Sequence, residues 1–142
     1  MVNADSRMIR IADSTIAFTP DGCVTTFANG ASYGAQPHFT PHYHVAAHRC
    51  GYGDDLLRYA RDHEACHLFI ERDFLAGRSG VLRKLANGHP VHPGEAAVEE
   101  AAVMTLQRWL RANERPMIGG VAWDALKREA LGLLDGAYEG VL

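Results

Sequence analysis

The chain has 142 residues, 47% of them apolar and 22% charged, with 17 acidic side chains against 14 basic ones. That length supports one domain, residues 1–142, with a core that needs no disulfide staples, and an acidic balance without a basic block argues against nucleic acid as a partner. No run approaches the roughly 20 continuous apolar residues that cross a bilayer, the opening MVNADSRMIRIADS lacks a basic start and apolar core, and Cys23, Cys50 and Cys66 form no C-x-x-C pair. The expectation is therefore a cytoplasmic protein with reduced thiols and no membrane contact. Histidine is the unusual component: there are eight, six of them between His38 and His67.

In chain order, Met8–Ile11, Thr15–Phe18 and Cys23–Phe27 read as short β-branched strands, and Thr19-Pro20-Asp21-Gly22 supplies turn chemistry for a hairpin over Ile16–Phe27. Asn29 to Pro41 is rich in Gly, Ser and Pro and reads as loop. His42 to His48 alternates, with His42, His44 and His48 on one side and Tyr43, Val45 and Ala47 on the other, which predicts a further strand. From Asp54 the pattern turns helical. Asp54 and Asp55 offer cap carboxylates, and Leu56 to Ala76 runs without Gly or Pro until Gly77. A short apolar piece, Val81–Ala86, closes at Asn87-Gly88. Two prolines make His89–Gly94 a connector, after which Glu95 to Ala112 and Asp124 to Tyr138 read as helices. The fold class is α+β, with antiparallel strands first and a helical half after them.

The long helix carries His63-Glu64-Ala65-Cys66-His67, an H-E-x-x-H pattern. Histidines four apart lie one above the other on a helix, so both imidazoles reach one ion, and the glutamate stands beside the open position. A zinc ion held in this way lowers the pKa of a bound water toward about 7 and lets the carboxylate take its proton. Helical phase agrees: Leu56, Ala60, Ile70 and Phe74 share the face of His63 and His67, with Glu64 close beside, while Arg58, Arg61, Asp62, Ala65 and Arg72 take the other side. Burying three such polar groups is costly unless something satisfies them, which a metal would do; core histidines hydrogen-bonded to backbone are the alternative.

A third ligand is needed. Asp73 lies off the histidine face, and Ile70 stands where a metzincin would have Gly. On the helix Glu95–Ala112, the apolar stripe Val98, Ala102, Val103, Leu106, Trp109 and Leu110 includes Glu95 and Glu99, whereas Glu100 falls opposite with Gln107 and Arg111. Glu99 is thus the expected zinc ligand, in the context E-x-x-A. Glu95 is expected to orient a ligating histidine, and Glu95 and Asp73 stay open as alternatives for the ligand.

With these residues the chain resembles the small gluzincin-like zincin metallopeptidases, including compact bacterial and phage regulatory proteases. The resemblance spans about residues 42–110 and only its five-residue motif is specific. It implies a zincin-like domain with Glu64 as general base, His63, His67 and Glu99 as Zn2+ ligands, and a cleft-edge strand, His42–His48, that pairs with an extended protein or peptide substrate. It also implies a His or Tyr that stabilises the oxyanion, for which His44, His48, Tyr43, Tyr52 and Tyr59 are the candidates. Cys66, Trp109 and Trp123 are expected to pack, and His38, His89 and His92 carry no assigned role. The function expected is a zinc-dependent hydrolase, with peptidase favoured over a non-peptide bond. The alternative is a non-catalytic zincin-like interaction protein with a structural or vacant site, which a fourth protein ligand such as His44 or His48 would indicate.

Overall fold

A computed structural model describes residues 8–11, 14–19, 22–35, 41–76, 80–115, 118 and 122–139. Four strands, β1 (Met8–Ile11), β2 (Ser14–Thr19), β3 (Gly22–Thr26) and β4 (Ser32–Ala35), form an antiparallel sheet in the order β1-β2-β3-β4. The hairpin pairs Thr19 with Gly22 and Ile16 with Thr25, in keeping with the expected strand and turn pattern; Pro20 and Asp21 lie outside the described residues. Period-two alternation buries Ile16 and Thr25 on one face and leaves Val24 exposed on the other. β4 falls within the stretch expected as loop. Its sequence, SYGA, carries little strand preference, and it is held by pairing with β3, Thr25 opposite Tyr33.

The second departure is larger. His42–His48, expected as a strand, belongs to helix α1 (Pro41–Arg49). Pro41 at the first helical position has the backbone angle a helix needs. Ala47, one turn before Cys50, packs with it against Tyr52 and Tyr59 in a small core of their own. A seven-residue alternation of His with apolar residues fits either period, and tertiary packing decides.

Helix α2 (Leu56–Phe69) starts at Asp55, whose side chain accepts from the Arg58 amide at 3.2 Å. It continues as a π-helical turn, Ile70–Phe74, in which the Leu75 amide reaches back to Ile70 at 2.7 Å. Ala76, with φ of 52°, stands where the turn ends, one residue before the expected Gly77 stop. Residues 62–71 are buried without exception. Asp62 and Ala65, expected on an outer face, are therefore interior, because the sheet lies against one side of α2 and α4 (Pro93–Ala112) against the other. Asp62 is satisfied by the Tyr52 hydroxyl at 2.7 Å and by Arg61 at 3.0 Å.

Helix α3 (Val81–Ala86) and helix α5 (Lys127–Ala137), the latter preceded by a 3-10 turn at Trp123–Ala125, complete the described elements. Ile16, Phe69, Ile70, Leu106, Leu110 and Leu134 are fully enclosed in the main core, and Trp123 stacks edge-on against Phe69 with ring centres 5.1 Å apart. Each such side chain contributes about 1.5–3 kcal/mol through removal from water. Cys66 and Trp123 are core residues and Trp109 packs on its edge, as expected. Among the described residues no helix is long and apolar enough to cross a membrane.

Candidate metal centre

α2 and α4 lie side by side, and their shared seam is polar. From α2, His63, Glu64 and His67 turn into it, each no more than 6% exposed. From α4 come Glu99, Glu100 and Gln107. His63 Nδ1 meets Gln107 Oε1 at 2.9 Å, and the orientation of that amide is fixed at its other end, where Nε2 donates to the Tyr59 carbonyl at 3.0 Å. His67 Nδ1 meets Glu99 Oε2 at 2.6 Å. Both Nδ1 atoms thus face acceptors, and a neutral ring that carries its proton there leaves Nε2 as the lone pair.

The opposite ring nitrogens converge. His63 Nε2 lies 2.8 Å from Glu100 Oε1 and His67 Nε2 lies 3.2 Å from Glu100 Oε2. With protons on both Nδ1 atoms, two imidazole lone pairs would point at a carboxylate, an arrangement that is repulsive unless a cation joins them. In the metal-free protein that cation is a proton. Burial alone would lower the His67 pKa, but its bonds to Glu100 and Glu99 outweigh burial and raise it well above the ordinary histidine value. Burial likewise works against ionised Glu100, yet the bonds from His63 and His67 hold its carboxyl far below the usual range. A divalent ion can take the same place. The two nitrogens and a Glu100 oxygen lie within 4.8 Å of one another, and bond lengths of about 2.0–2.2 Å put tetrahedral ligands about 3.3 Å apart.

Glu64 is 3% exposed and its Oε2 is buried with no hydrogen-bond partner. Burial pushes its pKa up, partly offset by His67 and His63. An orphaned carboxylate oxygen beside two imidazoles is costly in a finished core.

Glu99, the expected ligand, is placed differently from Glu100. It sits behind the ring of His67, and its other oxygen accepts the Val81 amide at 3.2 Å. Glu71, on the π turn, accepts the Leu82 amide at 2.8 Å and the Arg83 amide at 3.1 Å. The two glutamates therefore cap the start of α3. Burial and the neighbouring Glu99 raise the Glu71 pKa to about 8, while His67 and Glu71 together hold Glu99 low against the effect of its own burial, so the pair shares one proton and Glu71 holds it. His67, Glu71 and Glu99 also have ligand atoms within 4.8 Å, but backbone amides already occupy both Glu71 oxygens and Glu99 Oε1, and Glu99 Oε2 is on the His67 ring.

Glu95 does not reach the histidines. It closes a capping box with His92, whose Nδ1 accepts the Gly94 amide at 3.1 Å, and it binds Lys84 at 2.7 Å. Asp73 lies away from the cluster, 3.6 Å from Arg72. His92, given no role from the sequence, is a helix cap.

The His63–His67–Glu100 cluster opens into a cavity of about 560 Å³, a size suited to a small ligand. Its floor is polar, and its walls include Val45, Val81, Leu82, Leu85 and Met104, with Arg49 and two tyrosines, Tyr33 and Tyr59. Tyr59 is one of the expected oxyanion candidates; its hydroxyl donates to Met104 Sδ at 3.4 Å. The Tyr52 hydroxyl is committed to Asp62, His44 and His48 are exposed outside the cavity wall, and the Tyr43 side chain lies outside the described residues. Tyr33, on β4, was hidden in a stretch that reads as loop. Burial, then the charges of Glu64 and Glu100, raise its pKa, so the hydroxyl keeps its proton.

No family model, no curated protein and no solved structure matches the chain.

Proposed function

We propose that the chain is a zincin-like, zinc-dependent hydrolase acting on protein or peptide substrates, with His63, His67 and Glu100 as metal ligands. The observation that carries the reading is the convergence of two Nδ1-anchored imidazoles and one carboxylate beside a buried carboxylate oxygen that has no partner. Glu100 replaces Glu99 as the proposed third ligand because its oxygens face the free Nε2 atoms and the cavity; Glu99 instead orients His67, a role expected for Glu95.

A divalent ion bound there would acidify a water and polarise a substrate carbonyl. The chain's own groups account for the remaining roles. Glu64 Oε2 receives a proton from the attacking water and returns it to the leaving amine, helped by a pKa that burial has raised toward working pH. The Tyr33 hydroxyl, protonated and on the cavity wall, donates to the oxygen that gains negative charge. β4 ends the strand order and lines the cavity through Tyr33, so it takes the substrate-pairing place expected for residues 42–48. An open cavity without His44 or His48 favours catalysis over a closed structural site.

The test is zinc titration of untagged protein together with hydrolysis of a mixed peptide pool. Expected are one tightly bound zinc per chain and cleavage that Glu64→Gln abolishes while its zinc binding stays. Absence of zinc binding overturns the metal centre. Zinc binding without cleavage in the wild type returns the structural alternative, and an active Glu64→Gln protein removes Glu64 as base.

A further inference from the structure

The cavity wall carries one feature that metal ligation and proton transfer leave unused. Val45 and Arg49 are four residues apart on α1, so they lie on one face of that helix, and both line the cavity that contains His63, Glu64 and Glu100. Arg49 is exposed, and no described residue offers it a hydrogen bond or ion pair. Arg61 and Arg111, by contrast, are engaged: Arg61 binds Asp62, and Arg111 donates to the Gly51 carbonyl at 3.1 Å and lies over the Tyr52 ring. On the lining of the same cavity, Val45 at 49% and Leu85 at 42% are two of the three large apolar side chains left exposed among the described residues.

The charge balance of the wall gives Arg49 a purpose. Glu64 and Glu100, with Glu99 behind His67, face the place of the dication. Arg49 is the one lysine or arginine among the lining groups, and no described residue pairs with it. A guanidinium in a concave, partly apolar site recognises carboxylates through paired N–H donors, and low-dielectric walls concentrate its field toward an incoming anion.

We propose that Arg49 is a specificity-determining residue that binds a carboxylate of the substrate, while Val45 and Leu85 receive an apolar side chain next to it. The preferred substrate is a short acidic peptide segment, the carboxylate being either the chain terminus or an Asp or Glu side chain. This rests on the metal-dependent hydrolase reading, and the experiment separates the two. Zinc-loaded protein is titrated with four hydroxamate-tipped dipeptides ending in leucine acid, leucine amide, glutamyl amide or glutaminyl amide, in wild type, Arg49→Ala and Arg49→Lys. Wild type is expected to bind at least one acid tenfold or more tightly than its neutral counterpart. Arg49→Ala should bring that ratio below twofold with the neutral probes unchanged, and Arg49→Lys should keep part of it and lose it at high salt. A preference in the leucine pair assigns a terminal carboxylate, and one in the glutamyl pair a side chain. Zinc binding with no acid preference, or a preference that survives in Arg49→Ala, overturns the role of Arg49 alone. No zinc uptake in the wild type overturns the hydrolase reading and this role with it.

Discussion

His67 stands between two acidic neighbourhoods of similar composition and opposite character. On its Nδ1 side, Glu99 and Glu71 are sealed in the interior, and their oxygens accept the amides of Val81, Leu82 and Arg83. On its Nε2 side, Glu100 is half exposed at the cavity and, among the described residues, accepts from the two histidines alone, next to a Glu64 oxygen to which no described residue donates. Both groups could hold a metal by distance alone. The difference lies in how the carboxylates are already satisfied. A glutamate whose lone pairs are filled by backbone N–H groups is part of the fold, and one whose charge is balanced only by a transferable proton is available for chemistry.

The sharpest way to break this comparison is to remove one carboxylate from each side. Glu100→Ala should weaken zinc binding by 10² or more, about 3 kcal/mol or above, and cost little folding stability, because the side chain is half exposed. Glu99→Gln should weaken zinc by about 10–100-fold, the usual consequence of losing a carboxylate that orients a ligating histidine. Competition titration with a zinc chelator measures both. Equal losses, or a larger loss at Glu99, would reverse the assignment of ligand and support.

Next in size is the seal behind His67. Gly80 sits against Glu71 so closely that a Cβ would overlap its carboxyl group. Gly80→Ala must therefore displace Glu71 from the amides of α3, and a loss of about 1–3 kcal/mol is expected in chemical denaturation. Because Val81 and Leu82 line the cavity, the same variant should also loosen hydroxamate binding, whereas zinc affinity should fall less than in Glu99→Gln.

These two neighbourhoods were unequally legible in the sequence. His63, Glu64 and His67 announce themselves by spacing, and the phase of α2 puts them correctly inward. The partner helix was less legible, because a single apolar stripe marks only one of its two contact sides: Glu99 is buried as that stripe predicts, but Gln107, placed opposite, is buried too. α4 has two buried sides: Ala102, Val103, Leu106 and Leu110 meet the apolar core, while Gln107, fully enclosed, and Glu100 meet imidazoles. A helix that packs on polar groups shows polar residues at its contact, so the useful signal was Glu100 and Gln107 seven residues apart, two turns on one line. β4 and α1 were missed because short segments take their state from their neighbours. The π turn leaves no mark in the sequence, yet it brings Glu71 to the start of α3.

The shared proton of the sealed side gives a smaller, signed effect. Glu71 has its pKa raised to about 8 in the folded protein, chiefly by burial and then by Glu99, above the ordinary glutamate value of about 4.3 in the unfolded chain. Between those values the folded state binds more protons, so this group's contribution to stability is full at low pH and is lost as pH rises through about 8. His67 in the metal-free protein adds a trend of the same sign, so the informative quantity is the difference from Glu71→Gln. That variant should show a shallower decline in denaturation midpoint between pH 6 and pH 9, and an unchanged slope would mean that Glu71 is ionised throughout.

The smallest effect separates Glu95 from the metal centre altogether. Its carboxylate bonds to Lys84 and reaches back to the His92 amide at 3.4 Å, while His92 caps the Gly94 amide. Those bonds belong to the first turn of α4, more than three turns before Gln107 but only one before Glu99 and Glu100, and a carboxylate in that turn also favours the helix dipole. Glu95→Ala should cost about 0.5–1 kcal/mol of stability, the ordinary value of a partly exposed cap, and leave zinc affinity within twofold of wild type. A tenfold loss of zinc affinity in Glu95→Ala would mean that the α4 start, and not only its Glu99–Glu100 turn, sets the position of the ligands, and the division between the open and sealed sides of His67 would then no longer be local to that turn.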